Sequence, residues 1–253
     1  ELVITSTNQE IEQQYGLYNY YDPSRMAVIP PGTDLGQFHP PQGKEKIAFV
    51  RQLAQFLKNP KKPLIVALSR PDERKNLLTL IEAYGESPAL RETANLLIVA
   101  GNREDIRDME AGPRTVLTNV LLLIDLYNLY GKVAVPKRHR PAEVPEIYRL
   151  ASRLHGVFIN PALAEPFRLT LLVAAASGPP VVAPENCGPV GNLRNCRNGE
   201  LVDPLDKEAI AAALLKLLQS DSDWQRASRN GITGVRKHYS WQSHAESYLS
   251  RIR

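Results

Sequence analysis

The chain has 253 residues with 43% hydrophobic and 23% charged content, enough to bury a sizeable core without staples. Its net charge of +4 is modest, and its basic residues are not interleaved with aromatics, which argues against a nucleic-acid binder. Cys187 and Cys196 are too few for a disulfide framework and match no zinc spacing, so a reduced, cytoplasmic protein without a metal is expected. No apolar run approaches the length of a membrane span, and no signal peptide opens the chain.

Glu1 to Ser6 contains no Met and opens in mid-strand, as in a fragment or processed chain. Residues 2–5 read as a buried strand. Gln9 to Tyr15 reads as a polar helical stretch stopped by Gly16 in the position after the C-cap. Met26 to Asp34 reads as a short strand halted by Pro30 and Pro31. From Gly36 to Pro63 the pattern is proline-rich and aperiodic, with a short helix over Ile47–Leu57, and reads as a connector between domains.

From Leu64 the pattern becomes regular. Apolar runs at Leu64–Leu68, Leu96–Ala100, Val133–Val135, Val157–Ile159, Val181–Ala183 and Leu201–Val202 are short and continuous, as in strands buried on both faces. Helical stretches lie over Leu77–Glu86, Val116–Tyr127, Val144–Leu154, Leu169–Ser177 and Lys207–Leu218, followed by Trp224–Arg236 and Trp241–Ile252 with Ser240 as N-cap. Alternation of this kind predicts an α/β fold: a parallel sheet with right-handed crossovers. Leu77, Ile81 and Tyr84 share one helical face, as do Ile210, Leu214 and Leu217, and these stripes belong to the core.

In such a sheet ligands sit beyond the carboxyl ends of the strands, where helix N-termini favour phosphate. Arg70 and Lys75 follow the first regular strand, and a fixed pair of cations there suits a diphosphate. Gly101 and Asn102 follow the second, and the basic cluster Lys137, Arg138, His139, Arg140 follows the third. After the strand at Phe158 come the carboxylate of Glu165 and the helix-opening amides of Leu169 and Thr170. A lone histidine such as His139 or His155 is more often structural than catalytic. No catalytic triad order, Walker loop or dinucleotide glycine fingerprint is present.

Four stretches, Ala67–Asn76, Gly101–Ile106, Leu129–His139 and Gly156–Phe167, together closely resemble the retaining GT-B glycosyltransferases of the sucrose-phosphate synthase and sucrose synthase group. Ile29–Asp34 resembles that family's interdomain segment. The resemblance implies the donor half of a GT-B fold, a Rossmann-like parallel sheet with helices on both faces. Residues 1–34 would be the tail of an N-terminal domain with its linker, 35–235 the nucleotide-sugar domain, and 236–253 a helix crossing back. It implies transfer of glucose from UDP-glucose to fructose 6-phosphate, with no cofactor beyond the donor and with a separate acceptor domain as partner.

By the same resemblance Arg70 and Lys75 bind the donor diphosphate, Glu165 the sugar hydroxyls, and the amides of Leu169 and Thr170 the phosphate, while backbone near Lys137 holds the uracil. Gly101, Asn102, Arg138, Phe167, Arg168 and Val173 complete the implied donor site. Cys187-Gly188-Pro189 stands where a double glycine before the proline is more usual, and two further departures from the family matter most. Val173 stands where a second glutamate would hold the ribose hydroxyls, and Arg168 stands where glycine lets backbone approach phosphate. Loss of a hydrogen bond to a charged group, roughly 1.5–3 kcal/mol, implies weakened donor binding. The alternatives are a non-catalytic regulatory or assembly relative with a decayed nucleotide site, or a sucrose synthase or other glycosyltransferase using UDP-, ADP- or GDP-sugar.

Overall fold

The computed structural model describes residues 2–43, 45, 47–163, 169–185 and 189–252. Two short strands, β1 (Val3–Thr5) and β2 (Met26–Val28), pair in parallel as a small separate sheet. Between them the polar stretch forms a single π-helical turn over Glu10–Gln14 and a 3₁₀ turn over Tyr15–Leu17. Gly16 therefore lies inside a turn and does not take the left-handed stop expected of it. No side chain of that stretch is buried, so nothing holds a longer helix there.

The main sheet is six-stranded and wholly parallel, in the order β5-β4-β3-β6-β7-β8. Its strands are β3 (Leu64–Leu68), β4 (Asn95–Val99), β5 (Val133–Ala134), β6 (Val157–Ile159), β7 (Val181–Pro184) and β8 (Gly199–Val202). The helices are α1 (Val50–Leu53), α2 (Leu77–Glu86), α3 (Pro88–Thr93), α4 (Ala111–Leu126), α5 (Val144–Arg153), α6 (Leu169–Ser177), α7 (Pro189–Cys196), α8 (Lys207–Gln219), α9 (Asp221–His238) and α10 (Trp241–Ile252).

Alternation along each strand assigns its side chains to opposite faces. Ile65, Ala67, Leu96, Ile98, Val157 and Ile159 pack with α2, α4 and α8; Leu64, Val66, Leu97, Val99, Phe158 and Val181 pack with α5 and α6. This two-sided burial is why the strands read as unbroken apolar runs. Leu77, Ile81, Tyr84, Ile210, Leu214 and Leu217 are all buried in the first of these layers. A third cluster joins Leu172, Ala175 and Ala176 of α6 to Cys196, Val235 and Tyr239.

The region from residue 36 to 63 is more than a connector. Phe49, Leu53 and Leu57 are buried beside Leu64 and Phe158, so this segment builds one wall of the core. Only Val50–Leu53 is helical, because Leu57 bridges to Gly131 and Lys58 N–H donates to Gly131 O at 2.9 Å, drawing the chain into an extended path. At the other end, Ser240 caps α10 by accepting from Ser243 N–H at 3.1 Å. Gly32 lies so close to Trp241 that a Cβ there would stand 2.5 Å from it, and His244 Nδ1 lies 2.7 Å from Pro30 O. The C-terminal helix is thus packed on the segment after β2.

Candidate functional site

Strand order jumps between β3 and β6, and at that switch the loops diverge and leave a crevice. The loop after β3 is built by Asp72, whose Oδ1 accepts from Arg74 N–H at 3.0 Å and starts a 3₁₀ turn over Glu73–Lys75. Asp72 also takes the Arg74 guanidinium in a two-point contact, at 3.1 and 2.7 Å. That contact holds the Asp72 carboxyl well below the usual carboxylate range. Arg74 is thereby turned away, and Arg70 and Lys75 are the cations of this loop that line the crevice.

Asn76 ends the turn in the left-handed region, with φ of 54°. Its buried side chain donates from Nδ2 to Pro161 O at 3.1 Å and Pro204 O at 2.7 Å, and its Oδ1 accepts from Thr79 Oγ1 at 2.7 Å. Leu163 N–H donates to Arg74 O at 2.9 Å. The loops after β3 and β6 are therefore tied together, and Lys75 sits on the tie.

Asn160, at the end of β6, is buried. Its Oδ1 accepts from Ala162 N–H at 3.1 Å, and its Nδ2 reaches Thr170 Oγ1 at 3.4 Å. The crevice, about 340 Å³, is lined by Arg70, Lys75, Gly101, His139, Asn160 and Thr170 among others. Gly101 has φ of +71°, a conformation suited to glycine, and it brings bare backbone to the wall.

A neighbouring cavity of about 760 Å³ shares His139 with the crevice and is lined by Asn102, Arg103, Arg138 and Glu143. Asn102 Oδ1 accepts from His139 N–H at 2.7 Å. Arg103 is buried and donates to Val135 O at 3.1 Å and Pro136 O at 3.2 Å, pinning the end of β5 against the end of β4. Burial lowers the Arg103 pKa, though an arginine remains charged. Arg138 pairs with Glu104, and Lys137 Nζ donates to Glu104 O at 3.1 Å. Both cations are directed away from the crevice, and Lys137 lines a third groove along the sheet edge.

Four sequence-predicted residues, Arg70, Lys75, Gly101 and Thr170, thus converge on one crevice. Asn102 and Arg138 belong to the adjoining cavity. Leu169 opens α6 and is 45% exposed. Val173, one turn further along, is buried with Phe158, Ala183 and Leu193, an apolar side chain in an apolar layer. Glu165, Phe167 and Arg168 lie outside the described residues. Sequence reasoning passed over Asn160, Arg103 and Glu143, although a buried polar residue closing an apolar strand was the available signal for Asn160. Among the described residues no group of three or more His, Cys, Asp or Glu converges as a metal site would require, and no helix is long and apolar enough to cross a membrane.

The family model described as glycosyl transferases group 1 matches residues 49–233, a span containing every residue of this crevice. The chain belongs to the group 1 glycosyltransferases. Within that family it is 49% identical over 288 aligned residues to a probable sucrose-phosphate synthase 1 of rice, Oryza sativa subsp. indica. It is 47% identical over 292 to the sucrose-phosphate synthase of Zea mays. The alignments take in 100% of this glycosyltransferase chain but 26% and 27% of those relatives, so it spans about a quarter of their length.

Among solved structures, the sucrose-phosphate synthase of Thermosynechococcus elongatus superposes with a TM-score of 0.76 at 25% identity, covering 100% of this chain and 57% of that one. Anabaena HepE, solved in complex with UDP, superposes with a TM-score of 0.81 at 18% identity, covering 99% of this chain and 63% of the other, and shows the shared fold. The six-stranded parallel sheet with helices on both faces is the arrangement of these GT-B neighbours.

Proposed function

We propose that this glycosyltransferase chain is the donor-binding half of a sucrose-phosphate synthase-like enzyme that takes glucose from UDP-glucose and delivers it to fructose 6-phosphate with retention. The observation that carries this reading is the convergence of Arg70, Lys75, Gly101, Asn160 and Thr170 on one crevice at the switch point of the sheet. The diphosphate lies between the two cations and the N-terminus of α6, whose free amides and dipole favour it. As the bond from the anomeric carbon to the diphosphate oxygen breaks, its electron pair moves onto that oxygen. Arg70 and Lys75 stabilise the charge gained, an effect worth about 3–4 kcal/mol for a well-placed donor. Glu165 holds the sugar hydroxyls, and the backbone around Lys137 holds the base.

In this reading residues 35–235 form the donor domain and residues 1–34 belong to the tail and linker of an acceptor domain. Residues 236–253 cross back toward that domain, as the packing of α10 on Pro30 and Gly32 supports. The acceptor sugar phosphate is held by the part of the protein that the relatives have beyond this span. The site is weakened: Val173 offers the ribose hydroxyls no carboxylate, and UDP binds in the high-micromolar to millimolar range. A second reading, a non-catalytic relative with a decayed nucleotide site, is favoured by that same buried valine.

Titration calorimetry separates the two. Heat on adding UDP, lost in Arg70→Ala and Lys75→Ala, is expected. No heat at several millimolar UDP overturns the donor-site reading, and stronger binding of ADP or GDP reassigns the base.

A further inference from the structure

The ring of His139 lies where the crevice containing Arg70 and Lys75 meets the cavity containing Arg103 and Glu143. The preceding backbone is fixed by the contact of Arg103 N–H with Lys137 O at 2.9 Å, and the histidine's own N–H by Asn102 Oδ1 at 2.7 Å. Its Nδ1 is buried and has no hydrogen-bond partner. A buried N–H without an acceptor is the rarer and costlier orphan, so the ring proton belongs on Nε2 and Nδ1 is left bare. Nε2 is neither buried and orphaned nor hydrogen-bonded among the described residues, which leaves it as the ring atom open to the space the side chain lines.

We propose that His139 is a ligand-binding residue of this site, donating its Nε2–H to an oxygen of the nucleotide-sugar diphosphate held by Arg70 and Lys75. The assignment rests on the donor-site reading and adds to it a neutral hydrogen-bond donor. Burial holds the free ring below its usual pKa, against the opposing pull of Glu143. Glu143 is itself engaged by Arg140, through N–H to Oε2 at 2.7 Å and Nη2 to Oε1 at 3.0 Å. The other charges around the ring are Arg70 and Lys75 from the loop after β3, Arg103 and Glu104 from the loop after β4, and its chain neighbour Arg138. A second ring proton would sit on the buried Nδ1 with no acceptor, so the ring donates in its neutral form and binding takes up no proton.

The test is calorimetry of the whole chain with UDP-glucose, whose diphosphate has no titrating oxygen in this range, at pH 6.5 in two buffers of different ionisation enthalpy. The wild type is expected to bind with the same heat in both buffers, as a neutral donor requires. His139→Gln keeps a donor and is expected to bind within about threefold of the wild type, whereas His139→Ala is expected to bind about fivefold to tenfold more weakly. A thermal melt of each variant checks that it is folded. His139→Gln binding as weakly as His139→Ala, proton uptake by the wild type on binding, or wild-type affinity in His139→Ala each overturns the assignment while leaving the donor site intact. If the wild type binds neither UDP-glucose nor UDP, the donor-site reading falls and this assignment falls with it.

Discussion

Asn76→Ala tests how the crevice is held in shape. The asparagine is 8% exposed and joins three segments, through Pro161 O, Pro204 O and Thr79 Oγ1. Each of these hydrogen bonds contributes about 1 kcal/mol net, and truncation leaves the two buried carbonyls short of a donor. The left-handed backbone at this position costs alanine about 1 kcal/mol more. Together these give a destabilisation of about 4 kcal/mol, a fall in Tm of roughly 8–16 °C for a chain of this size. Asn76→Gly relieves the backbone cost but not the lost contacts, so it is expected about 1 kcal/mol above the alanine variant. Urea unfolding of the three proteins, with UDP binding measured alongside, is the assay. Because Lys75 precedes this residue, UDP affinity should fall in both variants even at temperatures where they are folded. A loss below about 1 kcal/mol for Asn76→Ala, or unchanged UDP affinity, refutes the reasoning.

Three further predictions address the site and the packing. Val173→Glu combined with Arg168→Gly is expected to tighten UDP by about tenfold to a hundredfold in calorimetry, by restoring a charged acceptor for the ribose hydroxyls; no tightening refutes this account of the departures. Gly156→Ala would put a Cβ 2.0 Å from Leu64 O, so β6 and β3 would have to separate; a loss of about 3 kcal/mol in denaturant unfolding is expected. Cys196 is buried, and burial pushes its thiol from 9.0 up to about 12. The folded state thus prefers the neutral thiol: this contribution is complete below pH 9 and is lost as pH rises from there toward 12. Stability measured at pH 10 should fall by about 1 kcal/mol more for the wild type than for Cys196→Ala. In a Cys187→Ser background, a thiol reagent should react only as fast as the protein opens.

The strands were legible because a parallel sheet buried on both faces cannot hide its pattern: β3 and β6 emerge with the boundaries their apolar runs mark. The helices α2, α6 and α10 were equally plain and emerge with the bounds expected for them. Helix α3 was passed over, although Ser87 accepting from Leu90 N–H and Pro88 in the first turn form a start signal. At six residues it falls below the window in which periodicity speaks. Helix α4 begins earlier than its apolar stripe because Gly112 and Pro113 fit a first turn, where proline loses no hydrogen bond. The wall formed by Phe49, Leu53 and Leu57 was misread as a connector, since its apolar residues serve a long-range packing that no local period expresses.

At the site, Arg70, Lys75, Gly101 and Thr170 were found from strand ends alone, because topology places those ends together. The directions of Lys137 and Arg138 were not legible. They depend on Glu104, whose placement is set by how the loop after β4 folds over the end of β5. His139 was discounted as a lone histidine, and only the meeting of two cavities gives it a role.

The seam between β3 and β6 joins Ile65 to Val157 and Val66 to Phe158, residues about ninety positions apart. Closing so long a loop costs entropy that only a largely formed sheet offsets, so this seam is expected to form late and to act as a kinetic weak line of the sheet. The crevice straddles it, with Arg70 and Lys75 on one side and Asn160 and Thr170 on the other. A molecule lodged there acts as a clasp across contacts that are made after the rate-limiting step. It should prolong the lifetime of the folded state while leaving the speed of folding almost untouched.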